Sequence, residues 1–163
     1  MSDLNDAREA YLALRESTTS VQLATLGADQ SPEASYAPCV WSEGNCYLYL
    51  SGLSSHCRNL LNNPKISLLL VDDAVRTANP FARVRASLQG SARVINRDTS
   101  EFAGLMQIFH QRFGKVMALI EPLPDFRLFQ VHASSGSFIR GFGQAYALSG
   151  NALDQLQAVD PRK

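Results

Sequence analysis

The sequence offers little of what usually betrays a function. Lysine plus arginine number 15 and aspartate plus glutamate also number 15, so the chain has no net charge. A basic excess, the mark of a nucleic-acid or anionic-membrane surface, is missing, and neither partner is expected. No run approaches the roughly 18 apolar residues of a membrane span. The opening Met1-Ser2-Asp3-Leu4-Asn5-Asp6 is acidic where a secretory signal would carry positive charge before an apolar stretch. Three cysteines, Cys39, Cys46 and Cys57, show no C-x-x-C spacing, which argues against a zinc site and against a secreted disulfide framework. They read as small packing residues in a reducing cytoplasm, with Cys39 and Cys46 placed to face each other across a hairpin. His56, His110 and His132 fall in no metal motif, so no metal site is expected. No nucleophile elbow, P-loop or dinucleotide-binding glycine motif is present either.

What remains is a pattern of short strands. A chain of 163 residues fits one domain, and a domain near that size buries roughly 70% of its unfolded surface without a staple. Leu4, Ala7, Tyr11 and Leu14 recur at helical spacing over 3–17. Strand-like runs follow at Val21 to Leu26, Ala34 to Trp41 and Cys46 to Leu50, separated by turn residues. Ser54 or Ser55 caps a short helix that ends before Pro64, and Lys65 to Val71 is a buried strand. From Arg83 to Ile95, Val84, Ala86, Leu88, Gly90, Ala92 and Val94 alternate with polar residues, the pattern of a long strand with one packed face. Asp98 and Glu101 resemble a capping box ahead of the helical stripe Phe102, Leu105, Met106, Phe109, Phe113. Two last strands are expected, Phe126 to His132 and Ser137 to Leu148, the second interrupted by Gly141-Phe142-Gly143, where a bulge or a close approach is expected. The core spans about 18–150, and 151–163 reads as a polar tail with one helical turn. The fold class is α+β, mainly antiparallel β, as a closed or half-closed barrel with flanking helices.

Few residues stand out for chemistry. Arg83 and Arg85 share the polar face of the long strand, about 7 Å apart. Guanidinium groups that close favour a carboxylate, phosphate or propionate. The alternative is a solvated face in a basic neighbourhood that includes Arg76 and Arg93. Asp125 follows the stiff Glu121-Pro122-Leu123-Pro124 and reads either as a turn residue or as an arginine partner. Ser55, His56 and Arg58 open the short helix, where free backbone N–H groups attract anions. No general base stands out.

Four passages together resemble the flavin split-barrel superfamily, typified by pyridoxamine 5′-phosphate oxidase, and within it the haem-utilisation proteins of the HugZ/HutZ type. They are Ser55-His56-Cys57-Arg58-Asn59-Leu60-Leu61-Asn62-Asn63-Pro64, Phe81-Ala82-Arg83-Val84-Arg85, Asp125-Phe126-Arg127-Leu128-Phe129 and Gly141-Phe142-Gly143-Gln144-Ala145-Tyr146. The resemblance implies a six-stranded split β-barrel that forms a homodimer, with two cofactor clefts at the interface. It implies an FMN-dependent oxidoreductase or, alternatively, a haem-binding or haem-degrading protein; a carrier without turnover is the third reading. Ser55, His56, Arg58, Arg83, Arg85 and Asp125 are the implied cofactor-binding residues, with Arg85 and Asp125 paired beside the cofactor in the haem members. Those members take an axial histidine from the C-terminal tail. Residues 151–163 contain none, which places FMN ahead of haem at this stage.

Overall fold

The computed structural model describes residues 3–73 and 78–160. The alternating segments form β1 (Ser20–Leu26), β2 (Pro32–Ser42), β3 (Asn45–Leu50), β4 (Lys65–Val71), β5 (Arg85–Ile95) and β6 (Arg127–Gly141). Neighbours run antiparallel in the order β3-β2-β1-β4-β5-β6, and β3 returns to β6 through pairs from Cys46↔Val131 to Leu50↔Arg127, which closes the barrel. Inward residues fill it: Val21 and Leu23 from β1, Leu68 and Leu70 from β4, Ala86 and Leu88 from β5, Phe129 and Phe138 from β6. Each large side chain buried this way stabilises the fold by roughly 1.5–3 kcal/mol. Beyond β6 the sheet continues through β7 (Gln144–Ser149) and β8 (Gln155–Ala158).

Helix α1 (Asp3–Ser17) packs Ala7, Tyr11 and Leu14 into the barrel core. Its buried Arg15 lies over the Tyr11 and Trp41 rings and donates to the Ala152 carbonyl at 2.8 Å, while Arg8 pairs with Asp154 at 2.8 Å. Together they fasten α1 to the segment before β8. Helix α2 (Ser55–Asn62) sends Cys57 and Leu60 into the same core. Helices α3 (Ser100–Phe113) and α4 (Val116–Ile120) instead build a second apolar cluster with Tyr47, Tyr49, Ile95 and Leu128.

Several expectations change in detail. The region beyond Gly150 ends in the strand β8, not a helical turn, because its backbone pairs with β7 from Tyr146↔Ala158 to Ser149↔Gln155. The two last strands expected from the sequence are one 15-residue strand, β6, and a hairpin partner, β7. The Gly141-Phe142-Gly143 passage makes that hairpin's turn, Gly143 taking φ +73°, and the pairing register shifts beside it, between Ile139 and Gly141. A bulge lies elsewhere: Gln89 faces Ser135 but Gly90 faces Ala133, leaving Ser134 as the extra residue. A Cβ at position 90 would sit 2.2 Å from the His132 carbonyl oxygen, so only glycine fits. At the end of β5 Val94 is exposed, and Ile95, on the opposite face, is buried instead in the second apolar cluster with Phe102 and Leu128. Thr99, not Asp98, caps α3 by accepting from the Phe102 N–H at 3.2 Å, and Glu101 pairs with Arg93 at 2.6 Å. Among the described residues no helix is long and apolar enough to cross a membrane.

Candidate functional site

The six residues singled out in the sequence separate into two groups. Ser55, His56, Arg58 and Asp125 lie around α2 and the turn that precedes it. Leu50 ends β3 opposite Arg127, which brings Ser51 and Gly52 against the start of β6. Asp125 is fixed there: its Oδ2 accepts from Ser51 Oγ at 2.8 Å and from the Gly52 N–H at 3.2 Å, and its backbone carbonyl accepts a second contact from Gly52 N–H at 3.0 Å. Gly52 has no room for a side chain, since a Cβ would stand 2.9 Å from that carbonyl. Arg58 folds back to donate to the Leu53 carbonyl at 2.7 Å. Ser54 occupies the N-cap position of α2 without capping it, its hydroxyl donating instead to the Ser51 carbonyl at 2.6 Å.

His56 reaches β2, where its Nδ1 meets Ser35 Oγ at 2.9 Å. Burial pushes the imidazole below its ordinary pKa, so it is neutral near pH 7. Asn59, one turn later, donates to Thr25 Oγ1 at 3.0 Å and Glu33 Oε2 at 2.7 Å, locking α2 to β1 and β2. Cys57 points inward. Burial raises its thiol pKa, with Arg127 and Arg58 pulling the other way and Asp125 adding to the rise, so it remains a thiol and a packing residue.

Arg83 and Arg85 sit at the far end of β5. Arg85 faces Val71 and Ile139, whereas Ile95, ten residues along the strand, faces Leu128 next to the Asp125 turn. Ten residues correspond to about 33 Å of strand, so Arg85 and Asp125 do not meet within one chain. Arg83 precedes β5 and closes a 3-10 turn, Pro80–Ala82. Its Nε donates to the Asp72 carbonyl at 2.8 Å, and Arg85 Nη1 donates to the Arg83 carbonyl at 2.9 Å. Neither guanidinium forms an ion pair among the described residues. Arg93 is spent on Glu101 and Gln130, and Arg76 lies outside the described residues. None of the six lines the cavities of about 430, 440 and 370 Å³ that the single chain forms.

Sequence reasoning passed over Arg97. Its guanidinium donates to Tyr49 Oη and to the carbonyls of Glu121 and Leu123, each at 2.7 Å, and lies over the Phe102 ring at 5.4 Å. It thereby fixes the proline-containing segment that ends at Asp125. His110 contacts the Glu121 carboxylate, and His132 Nδ1 contacts Asn45 Oδ1 at 3.1 Å. A lone arginine after a strand gives no periodic or motif signal. Its partners are mostly backbone carbonyls, which no sequence displays. Among the described residues no cluster of metal-ligating side chains occurs.

The chain belongs to the pyridoxamine 5′-phosphate oxidase family, whose model matches residues 7–140. More particularly, it is 34% identical over 139 residues to the haem oxygenase HutZ of Vibrio cholerae, covering 85% of this chain and 79% of that protein. The crystal structure of V. cholerae HutZ, described as a haem storage protein, superposes with a TM-score of 0.73 at 28% identity, over 77% of this chain and 89% of that one. Campylobacter jejuni ChuZ superposes with a TM-score of 0.88 at 26% identity, over all of this chain and 68% of its own. These relatives shift the balance drawn from the sequence: haem is supported by an individual relative, FMN by the family description alone.

Proposed function

We propose that this chain binds haem in a cleft shared by two copies of itself and acts in haem handling, as a haem-degrading enzyme or a haem carrier. The observation that carries this reading is the 34% identity to a haem oxygenase across 85% of the chain. The residues fit such a group. Arg83 and Arg85 present cationic N–H groups with no carboxylate partner among the described residues, and propionates are the anions they suit. Asp125, held by Ser51 and Gly52, keeps an acceptor in a fixed place. Because Arg85 and Asp125 stand at opposite ends of β5 and β6, one cleft holding both needs a second copy whose Asp125 end meets the first copy's arginine end. The outer wall between those ends has exposed Tyr36 on β2 and Leu69 on β4, side chains suited to burial against that copy.

Haem, when bound, supplies the iron and redox chemistry. The chain's own part is to neutralise the propionates with Arg83 and Arg85 and to hold an acceptor at Asp125. The segment 151–163 has no histidine, so an iron ligand from this chain comes from elsewhere. His56, neutral and bonded through Nδ1 to Ser35, and His110, held by the Glu121 carboxylate, are the histidines at the Asp125 end.

A visible titration tests the reading. Haem added to the purified protein should give a saturable Soret band at one haem per chain, and light scattering at micromolar concentration should give a dimer mass. Unsaturable absorbance, or a strictly monomeric mass, would overturn it. The family description keeps FMN as the second reading, and a parallel FMN titration with altered flavin fluorescence would favour it. Loss of the Soret band with an electron donor and dioxygen separates an enzyme from a carrier.

A further inference from the structure

Single exposed apolar side chains are ordinary on a protein surface, but several gathered at one end beside charged groups mark a contact site. Among the described residues the three most exposed large apolar side chains are Leu53 at 85%, Phe81 at 81% and Phe142 at 81%. All three belong to the two ends already described. Leu53 is in the turn beside Asp125. Phe81 is in the 3-10 turn two residues before Arg83. Phe142 is at the tip of the hairpin that follows Ile139, the residue facing Arg85. The 3-10 turn packs on β6, so both phenylalanines lie at the end of the barrel that carries the two arginines.

The hairpin is built to hold its ring outward. Gly143 takes φ +73° with open space where a Cβ would be, and Gly141 pairs back to Gln144, so the turn contains one side chain between two glycines. Nearby Arg140 pairs with Asp3 at 2.9 Å, whereas Arg83 and Arg85 have no ion-pair partner among the described residues. Two exposed aromatic rings at the same end as two guanidiniums that form no ion pair among the described residues match one ligand chemistry: a flat, apolar ring system with carboxylates on its edge.

We propose that the Gly141–Gly143 hairpin is an aromatic flap of the cofactor cleft, in which Phe142, with Phe81, packs on the face of a planar tetrapyrrole whose carboxylates are taken by Arg83 and Arg85. This rests on the haem-binding reading above and adds to it a contact independent of the iron. The full-length chain is titrated with haem and with metal-free protoporphyrin IX, as wild type, Phe142→Ala, Phe142→Trp and Leu119→Ala. Leu119, 73% exposed on α4, is the control for loss of an exposed apolar side chain elsewhere. Phe142→Ala should raise Kd roughly five- to tenfold for both porphyrins, with the dimer mass retained. Phe142→Trp should keep near wild-type affinity and add fluorescence that bound porphyrin quenches, and Leu119→Ala should bind as wild type. Equal affinity of Phe142→Ala and wild type overturns the flap. A fall of Phe142→Ala to monomer mass also overturns it, by making the ring a subunit contact. If wild type binds neither porphyrin, the haem reading itself has failed, and the flap with it.

Discussion

The two ends of this barrel handle polar groups in opposite ways. At the α2 end almost every one is answered from within the chain: Asp125 by Ser51 and Gly52, Asn59 by Thr25 and Glu33, Arg97 by Tyr49 and two carbonyls. At the other end the Arg83 and Arg85 guanidiniums touch only backbone carbonyls among the described residues, and aromatic rings stand in water. A hydrogen bond made inside the fold contributes to its stability, while a group left open keeps its interaction free energy for a ligand. The first end is therefore where the fold is held and the second is where binding is held in reserve.

That contrast breaks down, or sharpens, under substitution. The largest effect belongs to Arg97→Ala, which removes three charge-assisted hydrogen bonds, to Tyr49 Oη and to the carbonyls of Glu121 and Leu123, and should cost about 3 kcal/mol of unfolding free energy in a denaturant titration. A loss below about 1 kcal/mol would remove the basis for calling that end anchored. Arg85→Ala should do the reverse, weakening haem binding about tenfold with stability changed by less than about 0.5 kcal/mol. If stability falls and affinity does not, the two ends have been assigned the wrong way round. Asp125→Asn keeps an acceptor for Ser51 and Gly52, so its unfolding curve should overlay wild type while haem affinity drops a few-fold; unchanged affinity takes Asp125 out of the cleft.

The smallest effect is a pH dependence at His56. Its folded pKa lies below the ordinary 6.5 because burial disfavours the imidazolium. Below that ordinary value the unfolded chain binds a proton the folded chain does not, so stability falls as pH drops through 6.5 and levels off beneath the folded pKa. His56→Gln should flatten that part of the stability-against-pH curve, and an unchanged curve assigns the slope to other groups.

The strand pattern was legible because short apolar runs end at turn residues, and β1, β3 and β4 fall close to where those runs put them, although β3 is buried on both faces and shows no period of two. It failed where geometry is set by a partner strand. Ser134 is an extra residue only relative to β5, and β8 is a strand only because β7 offers it an edge. Of the candidate site, the identities Arg83, Arg85 and Asp125 could be picked out, but not their separation, since nothing in a one-dimensional spacing says that Asp125 lies beside residue 95 of the long strand and not beside residue 85. Arg97 and Ser51 were invisible for the same reason: their partners are 24 or more residues away and largely backbone.

Strand β6 runs unbroken from Arg127, next to Asp125, to Gly141, next to Phe142. In a two-fold pair of the kind proposed, each β6 would therefore bring its first residues to one cleft and its last to the other. The two clefts would share rods rather than stand apart, and damage at the middle of β6, around the Ser134 bulge, would be delivered to both at once.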